Sequence, residues 1–174
     1  MAGQIKTDVF EIKNIRTKDI RIYCFVCTGN TCRSPMAAAL LNHVGAAHGF
    51  LAFSRGIAAQ SGAPISENAC RALEAAGIAS EGRNDYRRHR AVQLTAEDFE
   101  RCDGVFALSP AHASALISAF PEYASRVRVL GDVSDPYGGD LTRYKRCLAD
   151  IERAMRETFP SLFAEADGRS GADA

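Results

Sequence analysis

The residues best suited to chemistry lie in one short segment, FVCTGNTCRSP, which spans residues 25–35. It holds two cysteines, Cys27 and Cys32, and the second is followed directly by Arg33 and Ser34. Cysteine thiolates act as nucleophiles and metal ligands, and the planar fork of an arginine matches two oxygens of a phosphoryl group. The segment could therefore be a metal site, a redox pair, or an anion-binding loop with a nucleophile at its base.

The spacing of the cysteines disfavours a metal site and a redox pair. A structural zinc site needs two ligand pairs at short spacing, whereas Cys70, Cys102 and Cys147 each stand alone in the sequence. Cys24 and Cys27 match the pattern C-x-x-C, but Cys24 lies inside a predicted strand, where residues three apart point to opposite faces. We expect Cys24 to be a buried apolar residue. A nucleotide-binding P-loop also fails, because the segment contains one glycine and no lysine.

An anion-binding loop is the interpretation that remains. A loop between a strand and a helix turns backbone N–H groups inward, and the helix dipole adds positive potential. This potential would favour Cys27 as a thiolate, and Arg33 would bind phosphoryl oxygens through its fork. Ser34 would donate a hydrogen bond to the thiolate. Gly29 and Asn30 are residue types that tolerate the left-handed backbone such a loop needs.

The surrounding sequence alternates between strand and helix patterns. Strands are predicted at residues 20–26, 50–54, 104–108 and 126–130, and helices at 35–48, 66–76, from 95, from 110 to about 120 and from 141 to about 163. Ser66 is a candidate helix cap, and Thr95 with Asp98 resembles a capping box. This alternation predicts an α/β fold: a doubly wound, four-stranded parallel sheet of order 2-1-3-4 with helices on both faces. The loop after the first strand then lies at the switch point, where such sheets bind ligands.

Length and composition indicate a single domain. The chain has 174 residues, and we expect the domain to span residues 20–163, with residues 1–19 as an extension and 164–174 as a disordered tail. Basic and acidic residues number 21 each, which disfavours nucleic acid and anionic membranes as partners. No apolar run approaches the roughly 20 residues of a membrane span. The polar N-terminus lacks a signal-peptide core, so a cytoplasmic location is expected.

The motif C-x5-R-S, with Gly29-Asn30 inside it and Pro35 after it, resembles the low-molecular-weight protein tyrosine phosphatase family. The resemblance covers about residues 20–159. It implies an enzyme without metal or cofactor, in which Cys27 attacks phosphorus and becomes a phosphocysteine. Arg33 and the loop amides would stabilise the developing charge. The implied phosphate-binding loop comprises Thr28, Gly29, Asn30, Thr31, Cys32 and Ser34.

The family carries a second signature, an Asp-Pro pair late in the chain that supplies a general acid. Asp135-Pro136 fits this signature, whereas Asp132 lacks the following proline. The resemblance implies that Asp135 protonates the leaving group and then activates the water that hydrolyses the phosphocysteine. The implied partner is a phosphorylated protein.

The family also supports its loop asparagine with a serine and a histidine, for which Ser54 and His89 are the matching positions. The usual Ser-Ala-Gly reads Ser54-Arg55-Gly56 here, so Arg55 departs from the pattern. Cys32 could form a reversible disulfide with Cys27 under oxidation and thus act as a redox guard.

Thr31 bears on the substrate. The sequence CTGNTCRSP and the Asp-Pro-aromatic-Gly-Gly run at residues 135–139 resemble a bacterial protein arginine phosphatase branch, whereas the tyrosine enzymes often carry isoleucine at the position of Thr31. A planar, cationic phosphoguanidinium suits a polar threonine wall and the anionic Asp135. Tyr137 could instead provide a wall for a phosphotyrosine ring. The prediction favours a protein-arginine phosphatase, with a protein-tyrosine phosphatase as the alternative.

Two functions of other classes could use the same residues. An arsenate reductase can use the same loop with a cysteine relay, but Cys70 and Cys102 are far apart in the sequence. A non-catalytic phosphoresidue-binding module would not need Cys27, Arg33 and Asp135 together. Both alternatives are disfavoured.

Overall fold

The chain alternates strands and helices around one sheet, as predicted. A computed structural model describes residues 20–169, and the side chains of residues 20–164. The expectations for residues 1–19 and 170–174 lie outside the described residues. The strands are β1 (Arg21–Cys27), β2 (Phe50–Gly56), β3 (Gly104–Ala107) and β4 (Val127–Val129). The α-helices are α1 (Arg33–Gly45), α2 (Glu67–Ala75), α3 (Ala96–Glu100), α4 (Pro110–Ala119), α5 (Leu141–Thr158) and α6 (Pro160–Arg169).

The sheet has the predicted topology. All paired strands run parallel, and their order is β2-β1-β3-β4. At the end of β1, Cys27 pairs with Gly56 of β2, and Val26 pairs with Ala107 of β3. The strand order reverses between β1 and β3, so the loop that follows Cys27 lies at the switch point of the sheet.

The sheet is covered on both faces. Phe25 of β1 packs into an apolar cluster with residues of α1, α2, α5 and α6. Its neighbours Cys24 and Val26 pack into a second cluster with residues of α3 and α4. This alternation follows from the twofold side-chain period of a strand. Cys24 is fully buried, as predicted, and burial raises the pKa of its thiol well above the usual range.

The caps of two helices are confirmed. The Ser66 hydroxyl accepts a hydrogen bond from the Ala69 N–H, and Thr95 and Asp98 form a reciprocal capping box at α3. Each interaction satisfies N–H groups that have no partner inside the helix.

The single closing helix predicted from residue 141 to about 163 is wrong. α5 ends at Thr158, and α6 starts at Pro160 and continues to Arg169, past the predicted domain end. Pro160 has no N–H to donate and disfavours helical geometry at the preceding residue, and Phe159 accordingly has φ −128° and ψ 55°. Among the described residues, no helix is long and apolar enough to cross a membrane.

Candidate active site

The segment from Cys27 to Arg33 forms a loop that is tied down on two sides. The carbonyls of Cys27 and Thr28 accept hydrogen bonds from the N–H groups of Ile57 and Ala58, at 2.9 and 3.0 Å. The Thr31 carbonyl accepts one from Ser66, at the start of α2. α1 begins at Arg33, two residues before the predicted start, and no side chain caps it. The N–H groups of its first turn and the positive end of its dipole therefore lie at the loop.

Asn30 organises the loop. Its φ is 57°, the left-handed conformation predicted for it, and its side chain is fully buried. Its amide nitrogen donates to the hydroxyls of Ser34 and Ser54, both at 2.9 Å, and its amide oxygen accepts from the Val92 N–H. His89 Nε2 donates to its backbone carbonyl at 2.8 Å. The structure thus brings Ser54 and His89 against the loop asparagine.

The prediction of a left-handed backbone at Gly29 is wrong. Within the loop, Asn30 alone has a positive φ, because the chain makes its reversal at that residue. A methyl group added at Gly29 would meet only the Thr31 hydroxyl, at 3.7 Å, which is an ordinary contact. Gly29 lines the pocket described below, so its small size leaves that pocket open.

Cys27 and Ser34 form a close polar pair. The Cys27 sulfur lies 3.0 Å from the Ser34 hydroxyl, and both residues are buried. Because the hydroxyl oxygen already accepts from Asn30, its own hydrogen is directed to the Cys27 sulfur or to the Arg55 carbonyl, 3.3 Å away. The pair can therefore stabilise negative charge on the sulfur.

Arg33 connects the loop to the segment after β4. Its Nη1 donates to the Val133 carbonyl at 3.1 Å, and its Nη2 forms a 3.2 Å ion pair with Asp135. The Arg33 side chain is 8% exposed and that of Asp135 is 54% exposed. The buried Nε of Arg33 has no hydrogen-bond partner among the described residues. Two contacts thus position the guanidinium, and it keeps N–H groups for an oxygen in the pocket that Arg33 lines.

Several of the predicted site residues line one pocket. Its lining consists of Cys27, Thr28, Gly29, Thr31, Cys32, Arg33, Asp135 and Tyr137. The lining does not include Asn30 and Ser34, whose side chains are buried, nor Ser54 and His89, which contact Asn30. Tyr137 is 76% exposed, so its ring lies at the rim. The arrangement places a thiol, a guanidinium and a carboxylate around one small cavity.

Two side chains that contact the loop were not predicted. The Tyr144 hydroxyl lies 3.2 Å from the Cys32 sulfur, and burial, with this hydrogen bond, raises the pKa of Tyr144 to about 12. His112 Nε2 lies 2.9 Å from the Thr28 hydroxyl. The Ser109-Pro110 pair, with a histidine three residues after the serine, is a helix-start pattern that could have indicated His112.

Arg55 has a structural partner that explains its presence. Its Nε donates to both carboxylate oxygens of Asp98 at 3.0 Å, and its Nη2 forms a 3.0 Å ion pair with the same group. Asp98 is 3% exposed, so Arg55 supplies the positive charge that this buried carboxylate requires. The ion pair joins β2 to α3. The backbone carbonyl of Arg55 lies within hydrogen-bond distance of the Ser34 hydroxyl. An arginine in place of the usual alanine therefore leaves this backbone contact with the loop in place.

The described residues contain no group of three or more His, Cys, Asp or Glu side chains that could hold a metal ion. What the pocket offers is a buried thiol beside a hydroxyl, an arginine with a free N–H, and a half-exposed carboxylate. These groups suit nucleophilic attack on an oxyanion such as a phosphoryl group.

Comparison with known proteins identifies the family of the chain. Residues 22–167 match the family described as low molecular weight phosphotyrosine protein phosphatase. A protein-arginine-phosphatase of Geobacillus stearothermophilus is 35% identical over 149 residues, which are 81% of this chain and 95% of that protein. The probable low molecular weight protein-tyrosine-phosphatase EpsP of Ralstonia nicotianae is 34% identical over 150 residues, covering 83% of this chain and 98% of the relative.

A solved structure gives the same result for the fold. The low molecular weight protein tyrosine phosphatase from T. tengcongensis superposes with a TM-score of 0.74 at 34% identity, covering 81% of this chain and 99% of that one. The relatives thus include arginine and tyrosine phosphatases at nearly equal identity. The chain belongs to the low molecular weight phosphotyrosine protein phosphatase family and is, like its relatives, a protein phosphatase.

Proposed function

We propose that this protein is a protein-arginine phosphatase that acts through a phosphocysteine on Cys27. The observation that carries the substrate class is the lining of the pocket, which includes the polar side chain of Thr31 and the carboxyl group of Asp135. A phosphoguanidinium is planar and carries N–H donors, so the Thr31 hydroxyl and a carboxyl oxygen of Asp135, which can accept in either protonation state, match it. Among the described lining residues Tyr137 alone is aromatic, so a phosphotyrosine ring has a single aromatic side chain to pack against.

In the first step, the Cys27 sulfur attacks phosphorus in line. The S–P bond forms as the P–N bond breaks, and Asp135 gives its proton to the departing guanidino nitrogen. Ser34 donates to the sulfur, and Arg33 with the loop amides stabilises the charge on the phosphoryl oxygens.

In the second step, water attacks the phosphocysteine. Asp135, now ionised, accepts a proton from that water, the S–P bond breaks, and inorganic phosphate leaves. Ser34 supports the sulfur as a leaving group through the same 3.0 Å contact.

In the proposed mechanism, substrate binding breaks the ion pair between Arg33 and Asp135. A phosphoryl group that binds the Arg33 guanidinium competes with Asp135 for Nη2. Displacing the carboxyl group from Arg33 leaves Asp135 free to turn toward the leaving nitrogen, where the first step needs a proton donor.

A protein-tyrosine phosphatase is the second candidate. It is favoured by Tyr137, which belongs to the pocket, and by relatives named as tyrosine phosphatases at 34% identity. The same three groups would serve it, with a P–O bond in place of the P–N bond.

The experiment compares turnover of matched phosphoarginine and phosphotyrosine peptides by the wild type, Thr31→Ile and Thr31→Ser. We expect the wild type to prefer phosphoarginine, Thr31→Ile to shift the preference toward phosphotyrosine by about tenfold or more, and Thr31→Ser to keep it. An unchanged preference in Thr31→Ile overturns the arginine assignment. Full turnover by Cys27→Ser overturns the nucleophile.

We also propose that Cys32 protects Cys27 from irreversible oxidation. Cys27 and Cys32 are both free thiols that line the same pocket. When a peroxide oxidises Cys27 to a sulfenic acid, Cys32 can condense with it to a disulfide and release water, which removes the nucleophile and protects it from further oxidation.

A further inference from the structure

We infer that His112 is a positioning residue that turns the Thr28 hydroxyl into a hydrogen-bond donor for the phosphoryl group. The inference rests on the proposed function of the site. It concerns a series of hydrogen bonds, Ser109–His112–Thr28, which begins at the buried cap of α4 and ends at the pocket.

The fold brings this chain to the loop through the sheet. β3 pairs with β1, and beyond β3 the Leu108 N–H donates to the Val26 carbonyl at 3.0 Å. Ser109 follows as the cap of α4, and its hydroxyl accepts from the N–H of His112 at 3.2 Å. The cap therefore holds His112 in the first turn of the helix, next to the residue that follows Cys27.

The contacts along the chain are short. Ser109 Oγ lies 2.9 Å from His112 Nδ1, and His112 Nε2 lies 2.9 Å from the Thr28 hydroxyl. Ser109 and His112 are 8% and 7% exposed, whereas Thr28 is exposed and lines the pocket. The chain thus joins a buried interior to one polar group at the site.

The hydrogen positions follow from the partners. The Ser109 oxygen accepts from the His112 N–H, and its own hydrogen has Nδ1 as its acceptor among the described residues. A buried hydroxyl that left this hydrogen unpaired would be penalised, so Ser109 donates to Nδ1. A neutral imidazole that accepts at Nδ1 carries its hydrogen on Nε2 and donates there to Thr28. The Thr28 oxygen is then an acceptor for His112, and its own hydrogen is left for the pocket.

This polarity matches the ligand. A phosphoryl group carries acceptor oxygens, so a hydroxyl in its binding loop contributes only as a donor. His112 must be neutral for the arrangement to hold. Burial, with the positive charge of Arg33, lowers its pKa, while Asp135 acts in the opposite direction.

The test is a double-mutant cycle with p-nitrophenyl phosphate as substrate and inorganic phosphate as competitive inhibitor. We expect Thr28→Val and His112→Leu each to lower kcat/KM and to raise the inhibition constant of phosphate by about tenfold or more. In the Thr28→Val background, His112→Leu should add nothing further, because its effect acts through the Thr28 hydroxyl. In the Thr28→Ser background, which keeps the hydroxyl, His112→Leu should again raise the inhibition constant of phosphate.

His112→Gln and Ser109→Ala keep the inference testable if His112→Leu fails to fold. His112→Gln retains an N–H at the end of the side chain and should recover most of the loss. Ser109→Ala removes the donor to Nδ1. It should raise the inhibition constant of phosphate when Thr28 is intact and leave it unchanged in the Thr28→Val background. His43→Leu, an exposed histidine on α1, is the control and should leave kinetics unchanged.

The inference is overturned if His112→Leu has the kcat/KM and phosphate inhibition constant of the wild type. It is also overturned if the fold-changes caused by His112→Leu and Thr28→Val multiply in the double variant, because His112 would then have a general structural role. Turnover by Cys27→Ser overturns the proposed function instead, so the two failures can be distinguished.

Discussion

Asn30 determines the conformation of the loop through both its backbone and its side chain. Its left-handed backbone is strained for a side chain other than glycine, and its amide group compensates with three hydrogen bonds to Ser34, Ser54 and Val92. The same residue therefore sets the turn of the loop and orients the hydroxyl that contacts Cys27. Backbone and side chain are both needed.

Asn30→Ala should remove the three side-chain bonds and keep the backbone strain. We expect it to lower the free energy of unfolding by about 2–4 kcal/mol and to reduce kcat strongly, measured by denaturant unfolding and by turnover of p-nitrophenyl phosphate. Asn30→Gly relieves the strain, so it should recover part of the stability but not the activity. Equal activity in Asn30→Gly and the wild type would show that the side chain is dispensable.

At the scale of elements, β2 supports the loop by close approach. Gly56, at the end of β2, lies so near the loop that an added methyl group would be 2.7 Å from the Thr28 carbonyl oxygen and 2.8 Å from Ala59. The Thr28 carbonyl is itself held by the Ala58 N–H, so it has no room to yield. The absence of a side chain at Gly56 thus has a steric cause.

Gly56→Ala should displace the loop backbone. We expect a loss of about 1–3 kcal/mol in the free energy of unfolding and a clear fall in kcat/KM. Gly104→Ala is the matched control in β3, because its added methyl group would meet its nearest atoms at 3.6 Å. A wild-type kcat/KM in Gly56→Ala would mean that the loop tolerates the displacement.

Arg55 and Asp98 join two other elements, β2 and α3. Arg55→Ala leaves the buried Asp98 carboxylate without its main partner, so we expect thermal and denaturant unfolding to show a loss of about 3 kcal/mol. Arg87→Ala is the comparison, since its ion pair with Glu74 is solvent-exposed, and it should cost less than about 1 kcal/mol. Similar losses in the two variants would refute a special role for the buried pair.

The elements were largely predictable, and their long-range contacts were not. The strand and helix patterns, the Ser66 cap and the Thr95–Asp98 box are local, so periodicity and capping residues indicated them. Thr28 and His112 are 84 positions apart, and Arg55 and Asp98 are 43 apart, so no local pattern connects them. Pro160 is a local signal for the break between α5 and α6. Apolar residues of the same core cluster continue on both sides of Pro160, so the apolar pattern alone predicts one helix.

For the whole molecule, two histidines make stability depend on pH. Burial lowers the pKa of both His89 and His112 below the ordinary value of 6.5. Arg55 and Arg90 lower the value for His89 further, whereas its bond to the Asn30 carbonyl raises it. Below pH 6.5 the unfolded chain therefore takes up protons that the folded protein resists, so acid favours unfolding.

The expected result is a free energy of unfolding that falls as the pH drops from about 7 toward 5, measured by urea titration at each pH. His89→Gln should make this dependence shallower, because it removes one of the two groups. His43→Gln, which changes an exposed histidine, should leave the slope as it is. A slope that His89→Gln leaves unaltered would remove His89 from the explanation.

The most direct test of the account is the identity of the phosphorylated residue during turnover. Asp135→Asn should slow hydrolysis of the intermediate, while an activated aryl phosphate still phosphorylates the enzyme without an acid. After rapid mixing and acid quench, mass spectrometry should find one phosphoryl group on Cys27, and Cys27→Ala should show neither the adduct nor turnover. A phosphoryl group on another residue, or sustained turnover by Cys27→Ala, would contradict the central claim that Cys27 is the nucleophile.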